Sequence, residues 1–274
     1  MKRFQFRFAI LVGLVLSLLV ACNPGREIAD NVIDNNSGNV AKTLVMFTSA
    51  DYPPYEFIET VDGRSEVKGF DIDLAEHITE KLGYGLQIDT INFDRLIPVL
   101  QSGQADFVMA GMVPTETRRQ NVDFTQLYHV PNHAVLSQRG SGLSTLENLR
   151  GKIVGVRQGS IQAQRVREIP NIKIKSLQQM SDLVQALKAG RINAALVAES
   201  AAAGYLAVNP DLEIHQIPSI PGNSGAAIAF TKGSRLVQAF DQVISEMKTT
   251  GELDQLALKW FDAVSESPPE ALKP

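Results

Sequence analysis

Apolar and polar positions divide the chain into three unlike stretches. Residues 8–20 form an apolar run, interrupted only by Gly13 and Ser17, behind Lys2, Arg3 and Arg7 and ahead of the small Ala21. A bilayer-spanning helix needs about 20 apolar residues, so this run is short for one. Positive charge, apolar run and small residue, in that order, are the parts of a secretory signal peptide, assigned to residues 1–21. Residues 22–42 lack sustained periodicity and are rich in Asn, Asp, Gly and Ser, the composition of a flexible tether. From residue 43 onward short β-type runs alternate with helical spacing, the signature of βαβ units and parallel sheets.

The first series runs from a strand at 43–48 (TLVMFT) through the turn-rich YPPYEF segment to a helix at 71–82. Leu74, Ala75, Ile78 and Leu82 share one face of that helix, and Gly83 is placed to cap its end. The strand LQIDTI, a helix at 93–101 and the buried-type strand ADFVMAG, ending at Gly111, complete one α/β lobe. A second series begins near Val130, with strands HAVLS, KIVGV, IKIK and NAALV. Its helices lie at 146–149 behind Ser144 or Thr145, from Ser160, and at 182–189 behind Ser181. A last strand at 226–230 and helices at 236–247 and 253–260 have no sheet of their own, so they are expected to return to the first lobe. The expected division is lobe 1 at 43–130 plus 225–264, lobe 2 at 131–224 and a tail at 265–274, with crossings near Val130 and Gly225. Open α/β sheets place ligands in a crevice beyond the carboxyl ends of their strands, so a cleft between such lobes is the expected site.

Composition adds little to the fold and something to the partners. The 274 residues are 44% hydrophobic and 20% charged, ordinary for a folded soluble body. Without residues 1–21 the formal charge is 23 − 30 = −7, which disfavours nucleic acid as a partner. The four histidines, His77, His129, His133 and His215, show no metal-ligand spacing. With no cysteine in the body to supply a thiolate, neither metal nor cofactor is expected. Nucleophile-elbow, Walker and dinucleotide fingerprints are absent from the sequence. The single cysteine closes Leu19-Val20-Ala21-Cys22, which resembles a bacterial lipobox. That resemblance implies cleavage before Cys22, its lipidation, and an anchor in the periplasm or on the outer face of the cytoplasmic membrane.

Five segments in order carry a wider resemblance: TSADYPPYEF, GFDIDL, FDRLIPVLQSGQADFVMAGMVPTETRRQNVDF, LRGKIVGVRQGS, and AIAFTKGS with ELDQLALKWF. Over residues 44–261 the body is similar to the family 3 extracellular solute-binding proteins, the type II periplasmic amino-acid receptors of ABC importers. The resemblance implies a two-lobed α/β type II periplasmic-binding-protein fold, each lobe a mostly parallel sheet flanked by helices. It also implies a monomer that closes on a small α-amino acid and docks on ABC permease subunits.

A zwitterionic ligand needs two opposite charges at a fixed separation. Its carboxylate suits the planar fork of an arginine, and Arg118 stands just after Thr115, a candidate helix N-cap. By resemblance Arg118 is the carboxylate-binding arginine, with Arg119 a solvated neighbour. The ammonium wants a carboxylate, and Glu199, directly after NAALV, is the candidate; capping its own helix is the other reading. Tyr52 and Phe70 match two aromatics that sandwich the ligand, while Tyr55 and Phe57 are expected to pack in the core. Gly111 and the turn at Gly159-Ser160 allow close backbone approach. Val113 and Ile161 stand where relatives commonly place hydroxyl or small residues, which implies a drier pocket. Ser49 matches a position that is acidic in some relatives, and Arg157 faces either the ligand's side chain or solvent.

The expected mechanism is capture by closure, with lobe 1 binding first through Arg118, Gly111, Tyr52 and Phe70 and lobe 2 adding Glu199 and Ser160. Ser49, Asp51 and Glu56 lean toward a polar or basic ligand side chain. A dehydratase of the cyclohexadienyl type on the same fold would need a general acid distinct from Glu199, and a sensory module would need a separate receptor.

Overall fold

The computed structural model describes residues 42–218 and 225–261, so the expectations for the signal peptide, Cys22, most of the tether and the tail lie outside the described residues. The first elements are β1 (Thr43–Thr48), β2 (Asp51–Tyr52), β3 (Glu56–Val61), β4 (Arg64–Lys68) and α1 (Phe70–Lys81). They are followed by β5 (Gly85–Thr90), a 3-10 turn at Phe93–Arg95, α2 (Leu96–Gln101), β6 (Phe107–Val108), α3 (Glu116–Arg119) and β7 (Val122–Phe124). The second series is β8 (His133–Gln138), a 3-10 turn at Glu147–Leu149, β9 (Ile153–Arg157), α4 (Ile161–Val166), β10 (Lys173–Leu177), α5 (Met180–Lys188), β11 (Ala194–Ala198), α6 (Glu199–Val208) and β12 (Leu212–Ile217). β13 (Ala229–Thr231), α7 (Leu236–Thr250) and α8 (Glu252–Phe261) close the described chain.

Two five-stranded sheets organise the body, in the orders β5-β1-β6-β13-β7 and β10-β9-β11-β8-β12. β1 runs parallel to β5 and β6, and β9 parallel to β10 and β11. β13 is antiparallel to both its neighbours, and so is β8. Each sheet therefore has one reversed strand, and in each case it is the strand that enters from the other half of the chain. Where the two connecting segments pass, Ala226 N–H donates to His129 O at 2.6 Å and Tyr128 N–H to Ala226 O at 2.8 Å. Gly225 is required in that tight pairing, because a Cβ there would meet the His129 carbonyl oxygen at 3.0 Å and Leu127 Cδ1 at 2.8 Å.

The helices cover the sheets with the faces their spacing dictates. In α1, Leu74, Ala75 and Ile78 are buried, and Gly83 follows at φ 74 with its N–H donating to Glu80 O, the left-handed helix end that glycine favours. α7 returns to the first sheet, where Phe240 meets Phe107 at 5.1 Å and Phe230 at 5.0 Å. In α8, Trp260 Nε1 and Lys259 Nζ both donate to Asp73 on α1. The β2-β3-β4 ribbon replaces what the sequence suggests is only a turn-rich stretch. Its tip, Asp62-Gly63 at φ 51 and 76, has the two positive φ values of a tight hairpin. Among the described residues no helix is long and apolar enough to cross a membrane, and no group of three or more His, Cys, Asp or Glu could hold a metal ion.

Candidate functional site

A cavity of about 30 Å³ lies at the carboxyl ends of the strands, between the two sheets. That volume holds about one or two water molecules. Its walls come from both halves of the chain: Tyr52, Tyr55, Phe93, Gly111, Val113 and Arg118 from the first, His133, Arg157, Ser160, Ile161, Gln162 and Ala198 from the second, with Ala110 and Pro131.

Arg118 is positioned by the short α3, whose N-cap Thr115 accepts from Arg118 N–H at 3.3 Å. The side chain is buried, with Nη1 donating to Val113 O at 2.6 Å and Nη2 reaching across to Gly159 O at 2.8 Å. Its guanidinium also lies 5.2 Å from the Phe93 ring centre. Burial, and then the charge of Arg157, lower its pKa to about 10, which leaves it a cation at neutral pH.

Arg157 ends β9 and is only 5% exposed, so it faces inward and not toward solvent. Its guanidinium sits 4.6 Å from the Tyr52 ring and 4.3 Å from the Phe93 ring, donates to Ser49 Oγ at 2.6 Å and pairs with Asp51. Ser49 passes a hydrogen bond on to Glu56 Oε1 at 2.6 Å. Glu56 is fully buried, and desolvation, then the neighbouring Asp71, push its carboxyl well above the usual range. The groups that lean toward a basic ligand are thus engaged within the protein: Asp51 and Ser49 by Arg157, Glu56 by Ser49 and burial.

Further ties join the two halves: Asn92 Nδ2 donates to Gln178 Oε1 at 3.1 Å and Gln158 Nε2 to Asp94 Oδ2 at 2.7 Å. With the arginine contacts they hold the lobes shut over the cavity.

The remaining candidates fall as follows. Gly111, at φ 55, borders the cavity, where an added Cβ would come within 3.6 Å of the Tyr52 and Tyr55 rings. Ser160 caps α4, its Oγ accepting from Ala163 N–H at 3.1 Å, and also borders the cavity. Val113 and Ile161 pack on one another as a small apolar pair. Tyr55, expected in the core, is 1% exposed yet lines the wall; Phe57 is a core residue against Trp260 at 5.9 Å.

Three candidates do not border the cavity, Ser49 among them, held between Arg157 and Glu56. Phe70 is fully buried at the start of α1, packed on Phe261 at 5.2 Å, His129 at 5.8 Å and Tyr128 at 5.9 Å. The aromatic ring that borders the cavity beside Tyr52 and Tyr55 is instead Phe93, just beyond the carboxyl end of β5. Glu199 points away: its carboxylate accepts from Gln216 Nε2 on the neighbouring β12 at 2.7 Å. Ala198, one residue earlier, borders the cavity, because consecutive side chains at an extended strand end face opposite sides. Arg118 and Glu199 therefore share no cavity.

With that geometry in place, comparison with known proteins is specific. Residues 44–263 match the bacterial extracellular solute-binding proteins, family 3. The chain belongs to that family. It is 38% identical over 251 residues to the arginine-binding extracellular protein ArtP of Bacillus subtilis, covering 90% of this chain and 97% of that one. A probable histidine-binding protein of Campylobacter jejuni is 34% identical, with 93% and 98% covered. Among solved structures, the substrate-binding protein of an amino acid ABC transporter superposes with a TM-score of 0.77 at 39% identity, over 80% of this chain and 99% of that one. AbpA of Streptococcus pneumoniae, bound to L-arginine, superposes with a TM-score of 0.77 at 31% identity, over 82% and 97%. The two-lobed fold is thus that of the type II periplasmic binding proteins, and family 3 solute-binding proteins of ABC importers act outside the cytoplasm.

Proposed function

We propose that this chain captures a small solute of the amino-acid class by its α-carboxylate, closes its two lobes around it and delivers it unaltered to an ABC permease. The observation that carries this reading is Arg118: a buried guanidinium on the cavity wall, held by Val113 O and by a hydrogen bond across the cleft. Such a fork matches a carboxylate in two parallel hydrogen bonds. A ligand seated on it touches both halves, so binding favours the shut form. The amino-acid class itself is supported by relatives whose names or titles give arginine or histidine as ligand.

The division into lobes at 43–130 plus 225–264 and 131–224 is part of this proposal, supported by the return of β13 to the first sheet. So are a monomeric state and lipidation at Cys22, which would hold the protein at a membrane surface; labelling with a radioactive fatty acid, lost in Cys22→Ala, tests the lipid. The central experiment is a thermal-shift screen with small carboxylates and the twenty amino acids. A ligand at 100 times its Kd stabilises by about 2.7 kcal/mol. Arg118→Ala should abolish that shift for every α-carboxylate, and a retained shift would remove the basis of the reading.

A further inference from the structure

A cationic side chain binds best where an aromatic face and a carboxylate meet in a place partly free of water. Such a place exists beside the cavity, and it is already filled. Tyr52 and Phe93 border the cavity, and the guanidinium that lies 4.6 Å and 4.3 Å from their ring centres is that of Arg157. The same guanidinium pairs with Asp51 and donates to Ser49 Oγ at 2.6 Å. The second carboxylate oxygen of Asp51 accepts from Met180 N–H at 3.3 Å, and Ser49 donates its own proton to Glu56.

Arg157 reaches this seat from the end of β9 in the second sheet, whereas Ser49, Asp51, Tyr52 and Phe93 belong to the first half of the chain. It is only 5% exposed, so water does little to screen its charge. Arg118 borders the same cavity, and the charge of Arg157 helps to lower its pKa, so the two cations already feel one another. An arginine or lysine side chain brought into the cavity would meet two like charges and find the rings and Asp51 taken. A side chain ending in an amide, hydroxyl or carboxylate meets no such conflict, since Arg157 Nε is buried without a hydrogen-bond partner among the described residues. The ligand's own ammonium keeps an acceptor, because Gln162 borders the cavity and its amide oxygen has no partner among the described residues.

We propose that Arg157 is a specificity-determining residue: its guanidinium fills the seat that a ligand's cationic side chain would need, so the captured amino acid is polar in its side chain without being basic. This rests on the carboxylate reading of Arg118 above and specifies the side chain that accompanies the carboxylate. It also goes beyond a role for Arg157 as a tie between the lobes. A tie acts on the closed population and scales the affinity of every ligand alike. A filled seat changes one class of ligand relative to another.

The test is titration calorimetry on the full chain with the twenty amino acids, for wild type and for Arg157→Ala. In wild type, arginine and lysine should bind at least about tenfold more weakly than the tightest uncharged or acidic amino acid. A basic amino acid within tenfold of the tightest would overturn this inference and leave the carboxylate reading standing, and that arm needs no variant. Binding by none of the twenty would overturn both. In Arg157→Ala, shown folded by its circular dichroism, every affinity should fall as the lobes loosen, but the affinity for arginine relative to the best wild-type ligand should rise by about tenfold or more. An equal loss for every ligand would show a tie alone and count against the inference. The relative gain should vanish when Asp51→Asn is added, because Asp51 is the carboxylate that the vacated seat offers. A gain that survives would place the ligand's cation elsewhere and also count against it.

Discussion

Arg157 ties the two halves of the molecule together, and replacing it by Met removes the charge while keeping much of the apolar stem. The guanidinium pairs with Asp51, whose side chain is 12% exposed, and lies within 5 Å of two ring centres, those of Tyr52 and Phe93. Removing one partner of a buried ion pair costs about 3–5 kcal/mol, and the residual solvation of Asp51 reduces that to about 1–3. Two partly desolvated cation–π contacts add about 1 kcal/mol together. A loss of about 2–4 kcal/mol falls on contacts between lobes, so it appears mainly in the open–closed equilibrium and only weakly in global unfolding. At 1.4 kcal/mol per decade this shifts the equilibrium toward the open form by about 30-fold or more, and ligand affinity falls by the same fraction as the closed population. Small-angle scattering of the ligand-free protein should show a larger radius of gyration for Arg157→Met than for wild type, and calorimetry a weaker Kd. An unchanged radius together with an unchanged Kd would refute the assignment of Arg157 as the latch.

Other outcomes follow from the same geometry. Phe70→Ala and Phe93→Ala should each cost about 3–5 kcal/mol of unfolding free energy, as for buried aromatics, but only Phe93→Ala should also weaken binding, because Phe93 borders the cavity and Phe70 does not; chemical denaturation with calorimetry separates them. Glu199→Gln should change affinity less than about twofold, because the carboxylate it replaces already serves Gln216. Burial raises the pKa of Asp71 to about 7, so the folded state holds a proton that the unfolded chain releases near 4. A raised acid pKa lowers stability as pH rises through that window. Asp71→Asn, which keeps the acceptor for Gly111 and Tyr128, should therefore gain stability over wild type progressively from about pH 4 to 7 in urea melts, with no gain below pH 4.

How much was legible in the sequence depends on the range over which each signal acts. The strands TLVMFT and HAVLS, the helix face of Leu74, Ala75 and Ile78, and the caps Thr115 and Ser160 are local: spacing or one hydrogen bond three residues away decides them. Arg118 was readable for the same reason, since its cap and its neighbouring backbone lie within five residues. The β3-β4 hairpin was passed over because Pro53-Pro54 dominates its surroundings, although Asp62-Gly63 between alternating runs carries a turn signal. Phe93 and His133 were missed because bordering the cavity depends on where distant strands end.

What the sequence by itself determined is the alternation of elements, the return of the last strand and helices, and the family, because each is written in local periodicity or in ordered motifs. Tertiary structure alone decided the charge of the cavity. Glu199 and Ala198 are adjacent in the chain, yet only the strand end facing the cleft sets which of them reaches it. Arg157 becomes an internal cation only when Ser49, Asp51, Tyr52 and Phe93, more than sixty residues upstream, close around it. Electrostatic environment is a sum over neighbours in space, and no stretch of chain contains that sum.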